Sequence, residues 1–389
     1  MTHFETRAAR VGANDQIEPR SISVPIFQSS TFSFDDPRAV AEALRRPDRG
    51  YVYSRLRNPT VAVLEKAVAD LEGGTDALAA GSGMGAINTV LLSLLRAGDH
   101  VIAQTRLYGG TFRVLSDLAE RFGVEITYIS GTDVDEFDAA VRPETKVLYL
   151  ETIANPTTAI SDLPGLLQAS QKAGVTSVVD NTFATPVLCR PIEYGADIVV
   201  HSATKYLGGH DDVCAGIAVF ADNELYLKVW NHAIELGAAI DPFAAWLVLR
   251  GLKTLPLRVA RHCSNAAHLA QRLAVHPGVS AVHWPGLPEH PNHLLATRVL
   301  DHYGGVLAFE VAGGRGAAEA VLGRLTGVLL APSLGGPETL VLHPASTSHR
   351  ELDSAELEKA GIQEGLIRVS VGLEHPEDLW NEFEQALKE

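Results

Sequence analysis

A doubly wound α/β domain followed by a smaller α+β domain is the fold class this sequence predicts, and three observations predict it. Between residues 58 and 221, short Val/Ile-rich runs alternate with single helix-length segments, the pattern of a mostly parallel sheet covered on both faces. Beyond about residue 240 the alternation gives way to a long helical stretch and then to strand-like runs mixed with helices. The length, 389 residues, favours two or three domains.

Taken in order, residues 1–57 read as an extended arm with one short helix, because Pro19, Pro25, Pro37 and Pro47 interrupt any periodicity. Such an arm cannot bury Val24, Ile26, Phe27, Phe32 and Phe34 by itself, so it is expected to lie on the body or on a second subunit. Order begins at Asn58-Pro59, an N-cap followed by proline at the first helical position, with Val61, Leu64, Val68 and Leu71 at helical spacing until Gly73. Helix 84–96 ends near Gly98; strand 100–105 leads to helix 111–122, and strand 125–130 to a short helix near 134–141. Strand 146–152 precedes helix 163–173, and strands 177–182, 197–204 and 214–221 close the α/β domain, taken as 58–250. Residues 251–389 form the α+β domain: a helical stretch broken by Pro256, strand-like GGVLAFEVAGG and LIRVSVGLE, and a last helix PEDLWNEFEQALKE.

Composition narrows the function classes. The chain is 46% hydrophobic and 20% charged, with 32 Lys plus Arg against 47 Asp plus Glu and a net charge of −15. That balance repels nucleic acid and anionic membrane, so an anionic ligand needs a local site. No 18-residue apolar run suggests a membrane span, and the opening MTHFETRAARVGANDQ lacks the apolar segment of a secretory leader. Cys189, Cys214 and Cys263 have no CxxC spacing, which argues against a disulfide scaffold or a zinc site and suits a reducing cytoplasm.

In open α/β sheets a ligand sits at the carboxyl ends of the strands, and polar residues gather there. GSGMGA (81–86) opens a helix and suits a phosphate through its backbone N–H groups. It matches the dinucleotide fingerprint formally, yet the next strand ends Ala103-Gln104-Thr105 with no acid for a ribose. Asp180 ends one strand, Asn155 follows another, and Ser202, Thr204 and Lys205 follow a third. Pyridoxal phosphate requires this combination: a lysine for a Schiff base, an acid on the ring nitrogen and a phosphate cradle. Ser202 and Thr204, two apart on an extended strand, are expected to face one side. Spacing alone leaves a buried structural Asp180–Lys205 ion pair equally open. His201, His210, Asp211 and Asp212 fit no metal pattern, and the expectation is no metal. Arg368 alternates against Ile367 and Val369, which fits a carboxylate clamp or a solvent-facing arginine.

HSATKYLGGH (201–210) resembles the pyridoxal-phosphate lysine signature of the Cys/Met metabolism enzymes, the group containing cystathionine γ-synthase, the cystathionine lyases, methionine γ-lyase and O-acetylhomoserine sulfhydrylase. YVYSRLRNPT (51–60), GSGMGAI (81–87), LYGGTFR (107–113), ETIANPT (151–157), VVDNTFATP (178–186), LRGLKTLPLR (249–258), SLGG (333–336), HPAS (343–346) and LIRVSVGLE (366–374) extend the resemblance over essentially the whole chain. It implies a fold-type I pyridoxal-phosphate transferase with a seven-stranded sheet, and a homotetramer of two catalytic dimers. It implies that Lys205 holds the cofactor, Asp180 faces the ring nitrogen, and Tyr108 stacks on the ring and serves as acid or base. Gly83, Met84, Ser202 and Thr204 then bind the phosphate, joined by Tyr53 and Arg55 from the neighbouring subunit, while Asn155, Ser333 and Arg368 position the cofactor hydroxyl and the substrate carboxylate.

Within the family, PETLVLHPAST and GIQEGLIRVSVGLE resemble methionine γ-lyases most, implying α,γ-elimination of L-methionine, with homocysteine or cystathionine as further substrates. The alternatives are γ-replacement, as in cystathionine γ-synthase or O-acetylhomoserine sulfhydrylase, and cystathionine γ- or β-cleavage. Two departures bear on that choice. Pro332 stands where the transsulfuration synthase and γ-lyase carry a glutamate, which implies an apolar pocket. Gly110 stands where bacterial methionine γ-lyases carry cysteine, which implies a roomier one.

Overall fold

Seven strands build the larger sheet of the computed structural model, which describes residues 2–12, 21–45, 50–347, 357 and 361–388. They are β1 (Asp76–Ala80), β2 (His100–Gln104), β3 (Glu125–Ile129), β4 (Thr145–Glu151), β5 (Thr176–Asp180), β6 (Ile198–His201) and β7 (Gly216–Phe220), in the order β1-β7-β6-β5-β4-β2-β3. Only β7 runs against the rest. The central strands are buried along nearly their whole length, as their Val/Ile/Leu content requires when helices cover both faces. The sheet class expected from the sequence is thus present, with one strand it did not reveal. β1, DALAA, has no β-branched residue, and alanine carries little strand preference.

A second sheet follows, β10-β11-β12-β9-β8, from β8 (Val279–His283), β9 (Val306–Val311), β10 (Leu329–Leu330), β11 (Leu340–Leu342) and β12 (Leu366–Ser370). The helical stretch around Pro256 is two helices, Pro242–Leu252 and Leu255–Ala274, and Pro256 lies in the first turn of the second, where its missing N–H costs nothing. Leu255, Val259 and Cys263 of that helix join the core of the larger sheet, while Ala266, Leu269, Ala270 and Leu273 join the core of the smaller one. One helix therefore fixes the two sheets against each other.

The start signal at Asn58 holds: its Oδ1 accepts from the Thr60 N–H at 2.9 Å, and the helix Pro59–Glu72 ends at Gly73 with φ 85°. The arm carries two short helices, Phe4–Ala9 and Pro37–Arg45, where one was expected. Val24 is buried in the main core and its carbonyl accepts from Trp246 Nε1 at 3.0 Å, so part of the arm lies on its own body. Ile22 stays 92% exposed. Pro19 and Pro47 lie outside the described residues.

Candidate active site

The carboxyl ends of β4, β5 and β6 lie side by side, and the pairing sets Glu151 opposite Asp180. Around this edge opens a cavity of ≈ 470 Å³ whose wall includes Gly83, Met84, Tyr108, Asn155, Asp180, Ser202, Thr204, Lys205, Ser333 and Arg368. Residues 83 to 368 thus meet at one place. Tyr53 and Arg55 do not. Tyr53 is exposed at 45%, and Arg55 donates to the Ile234 carbonyl, with its guanidinium 5.9 Å from the Tyr53 ring.

Gly83 begins the helix Gly83–Leu94, capped by Ser82, whose Oγ accepts from the Gly85 N–H at 3.0 Å. A Cβ on Gly83 would come within 2.8 Å of Ser202 Cβ, so only glycine lets the helix end approach the turn after β6. That turn corrects one expectation: β6 stops at His201, and Ser202, Thr204 and Lys205 lie beyond it rather than alternating along a strand. The turn is held by its own backbone, with Lys205 N–H to Ser202 O at 3.0 Å and Gly209 N–H to Lys205 O at 2.7 Å. Thr204 Oγ1 is engaged with Ala215, donating to its carbonyl at 3.1 Å and accepting from its N–H at 2.9 Å.

Lys205 Nζ donates to Ser333 Oγ at 2.7 Å. Among the described residues no ion pair joins it to Asp180, which removes the structural ion-pair reading. Burial, and then the charge of Arg368, push the Lys205 pKa down, which raises its fraction of nucleophilic free amine. Ser333 itself, in the same cavity wall, has φ 107°, a conformation an L side chain rarely adopts.

Asp180 Oδ1 accepts from the Thr182 N–H at 3.0 Å. Burial pushes its pKa up, against the Thr182 bonds and the nearby His201. Glu151 is pushed up further, by burial and by Asp180, against bonds from the backbone of Tyr108 and Asn155. Buried Glu151 beside half-buried Asp180 makes this strand end a place that favours a cation on its cavity side.

Arg368, 4% exposed in β12, donates through Nη1 to Asn155 Oδ1 at 3.2 Å and through Nη2 to the Ser333 carbonyl at 2.7 Å. The solvent-facing alternative for Arg368 is therefore excluded. Its Nε is buried without a partner, and among the described residues no carboxylate pairs with it. Burial lowers its pKa to about 10. A buried guanidinium on neutral oxygens alone is a poor structural device and a ready receptor for a carboxylate.

Two expectations about the pocket need correction. A Cβ on Gly110 would fall 2.4 Å from Tyr108 Cε1, so the room left by glycine is filled by the Tyr108 ring. The wall is also not wholly apolar: beside Ile153, Pro332, Leu334 and Leu342 it includes Arg113. Arg113, within LYGGTFR, and Glu151, within ETIANPT, belong to this site although their local sequence assigns them no role. A strand-end acid four residues before Asn155 was the available signal for Glu151.

Comparison with known proteins bears on this geometry. The family model of the Cys/Met metabolism PLP-dependent enzymes matches residues 5–388. An L-methionine gamma-lyase of Porphyromonas gingivalis is 43% identical over 386 residues, covering 99% of this chain and 96% of its own. A cystathionine beta-lyase of Coxiella burnetii is 41% identical over 390 residues, covering 99% and 98%. A solved structure of an O-acetylhomoserine (thiol)-lyase of Campylobacter jejuni, described as putative and containing N′-pyridoxyl-lysine-5′-monophosphate, superposes with a TM-score of 0.96 at 32% identity over 100% of both chains. With its lysine, strand-end acids and guanidinium gathered at one sheet edge, the chain belongs to the Cys/Met metabolism family of pyridoxal-phosphate-dependent enzymes, the carbon–sulfur lyases and transsulfuration enzymes of amino-acid metabolism.

Proposed function

We propose that the chain cleaves L-methionine by α,γ-elimination, consuming one water and releasing methanethiol, ammonia and 2-oxobutanoate. When bound, pyridoxal phosphate supplies an electron sink for negative charge arising at the substrate α-carbon. Lys205 Nζ holds the cofactor and moves the proton from the α-carbon. Asp180 keeps a proton on the ring nitrogen. The N–H groups at Gly83 and Met84 and the Ser202 hydroxyl bind the phosphate; Thr204, occupied by Ala215, contributes mainly by fixing the turn. Arg368 takes the substrate carboxylate, steadied by Asn155 and Ser333. Tyr108, in the cavity wall, would lie against the bound cofactor and give a proton to the departing sulfur.

The observation that carries the choice of methionine is the wall of Ile153, Pro332, Leu334 and Leu342, which offers a methylthio group an apolar seat. Relatives at 43% identity named L-methionine gamma-lyase support the same reading. Arg113 in that wall favours a second one, cystathionine cleavage, since its guanidinium suits a distal carboxylate. We further propose a cytoplasmic homotetramer of catalytic dimers in which Tyr53 and Arg55 complete the phosphate site of a neighbouring subunit; that neither lines its own chain's cavity supports this. Among the described residues no helix is long and apolar enough to cross a membrane.

A panel of amino acids assayed for keto acid and thiol tests the reaction. L-Methionine alone should yield 2-oxobutanoate and methanethiol. Inert methionine with rapid thiol replacement on O-acetylhomoserine would overturn the proposal, and pyruvate from cystathionine would select β-cleavage instead.

A further inference from the structure

A glutamine at position 151 would fill the same volume as glutamate without placing a second carboxylate beside Asp180. Glu151 is 4% exposed, and both burial and the Asp180 charge act against its ionised form. What glutamate offers and glutamine cannot is two acceptor oxygens at one end. Both are used. Oε1 accepts from the Tyr108 N–H at 2.6 Å, and Oε2 from the Asn155 N–H at 3.4 Å. Tyr108 is the N-cap residue of the helix Gly109–Phe122 and its side chain makes no capping bond, so Glu151 satisfies this backbone from the neighbouring strand.

The backbone of Glu151 is held equally firmly. Its N–H donates to Gln104 Oε1 at 2.7 Å and its carbonyl accepts from Ser161 Oγ at 2.8 Å. The same Ser161 hydroxyl lies 2.8 Å from Gln104 Oε1, joining the ends of β2 and β4. Asn155 continues the chain outward, since its Oδ1 receives Arg368 Nη1 at 3.2 Å.

We propose that Glu151 is a positioning residue that ties the loop carrying Tyr108 and the turn carrying Asn155 to the strand end beside Asp180. One carboxylate then sets the ring-stacking acid on one side and the carboxylate clamp on the other. The inference rests on the roles given above to Tyr108 and Asn155. The amide of a glutamine would meet one of the two N–H groups with another donor, freeing either Tyr108 or Asn155.

The test compares wild-type holoenzyme with E151Q and E151D. Visible circular dichroism of the bound cofactor reads the ring's surroundings without substrate, and borohydride reduction with peptide mapping reads the attachment to Lys205. E151Q should keep cofactor on Lys205, with affinity within roughly threefold, but change the dichroism, lower kcat by about tenfold or more and raise KM by about threefold, the loss expected for one charge-assisted bond. E151D, one methylene short, should rescue neither parameter. E151Q with wild-type dichroism and kinetics, or with losses that track only cofactor occupancy or unfolding, would overturn the inference alone. Cofactor mapped to another lysine in the wild type would overturn the underlying reading along with it.

Discussion

Arg368→Met separates a substrate clamp from a structural arginine. The residue lies mid-strand, opposite Ala308 of β9 and Leu342 of β11, and among the described residues its guanidinium hydrogen-bonds only Asn155 Oδ1 and the Ser333 carbonyl. Burial lowers its pKa from 12.5 to about 10, which corresponds to roughly 3 kcal/mol of penalty for carrying the charge there. Methionine, of similar length, removes that penalty but leaves two oxygens without donors, at about 1–3 kcal/mol each. The terms nearly cancel, so folding stability should stay within about 2 kcal/mol of wild type, a shift of a few degrees in Tm. Activity should not survive as well. Losing a bidentate, charge-assisted contact to a substrate carboxylate costs about 3–4 kcal/mol, or roughly 10²–10³ in kcat/KM. The carboxylate is the same in ground and transition states, so most of the loss should fall on KM. Steady-state keto-acid release and thermal unfolding of the holoenzyme decide the matter. A protein that loses Tm and activity together, or one whose KM is unchanged while kcat collapses, would refute the clamp.

Four further outcomes are expected. Lys205→Ala should abolish the borohydride-fixed cofactor and nearly all turnover, and reduced cofactor found on another lysine would refute its role. Arg55→Ala subunits exchanged with Lys205→Ala subunits should recover part of the activity, because a hybrid holds one intact site; well-exchanged hybrids that stay inactive would place Arg55 in its own chain's function. Pro332→Glu should shift preference from methionine toward cystathionine, read as the ratio of the two kcat/KM values. His262 donates from Nδ1 to the Val371 carbonyl at 2.6 Å and is held near pKa 4, chiefly by burial, against 6.5 when unfolded. The unfolded chain therefore binds a proton the folded one refuses: stability is complete above about 6.5 and falls by on the order of 3 kcal/mol as pH drops toward 4. His262→Asn should flatten that slope in denaturant titrations between those pH values, and an unchanged slope would exclude His262 as its source.

Much of the architecture was legible because it is encoded locally. Strands β2 to β7 announce themselves as apolar runs between turn residues, and Asn58-Pro59 and Gly73 mark a helix through bonds made within a few residues. β1 was hidden because alanine-rich DALAA becomes a strand only by pairing with β7, and two- and three-residue β10 and β11 are too short to show a period. The site divides the same way. Lys205, Asp180 and Arg368 stood out as residue types at strand ends and inside an apolar run. Whether Lys205 pairs with Asp180 or with Ser333, 128 positions away, whether Arg368 faces water or a cavity, and whether Gly110 leaves space or yields it to Tyr108 were matters of tertiary packing. Glu151 is the clearest case. Its place at a strand end four residues before Asn155 marks it as a candidate, but the reason for burying an acid there exists only where the β4–β5 register sets it against Asp180 and the chain folds the N–H groups of Tyr108 and Asn155 onto its two oxygens. Sequence determines which groups are available and which local shapes they favour; the register of distant strands determines which of those groups share a space of a few ångströms, where burial and charge give them their chemistry.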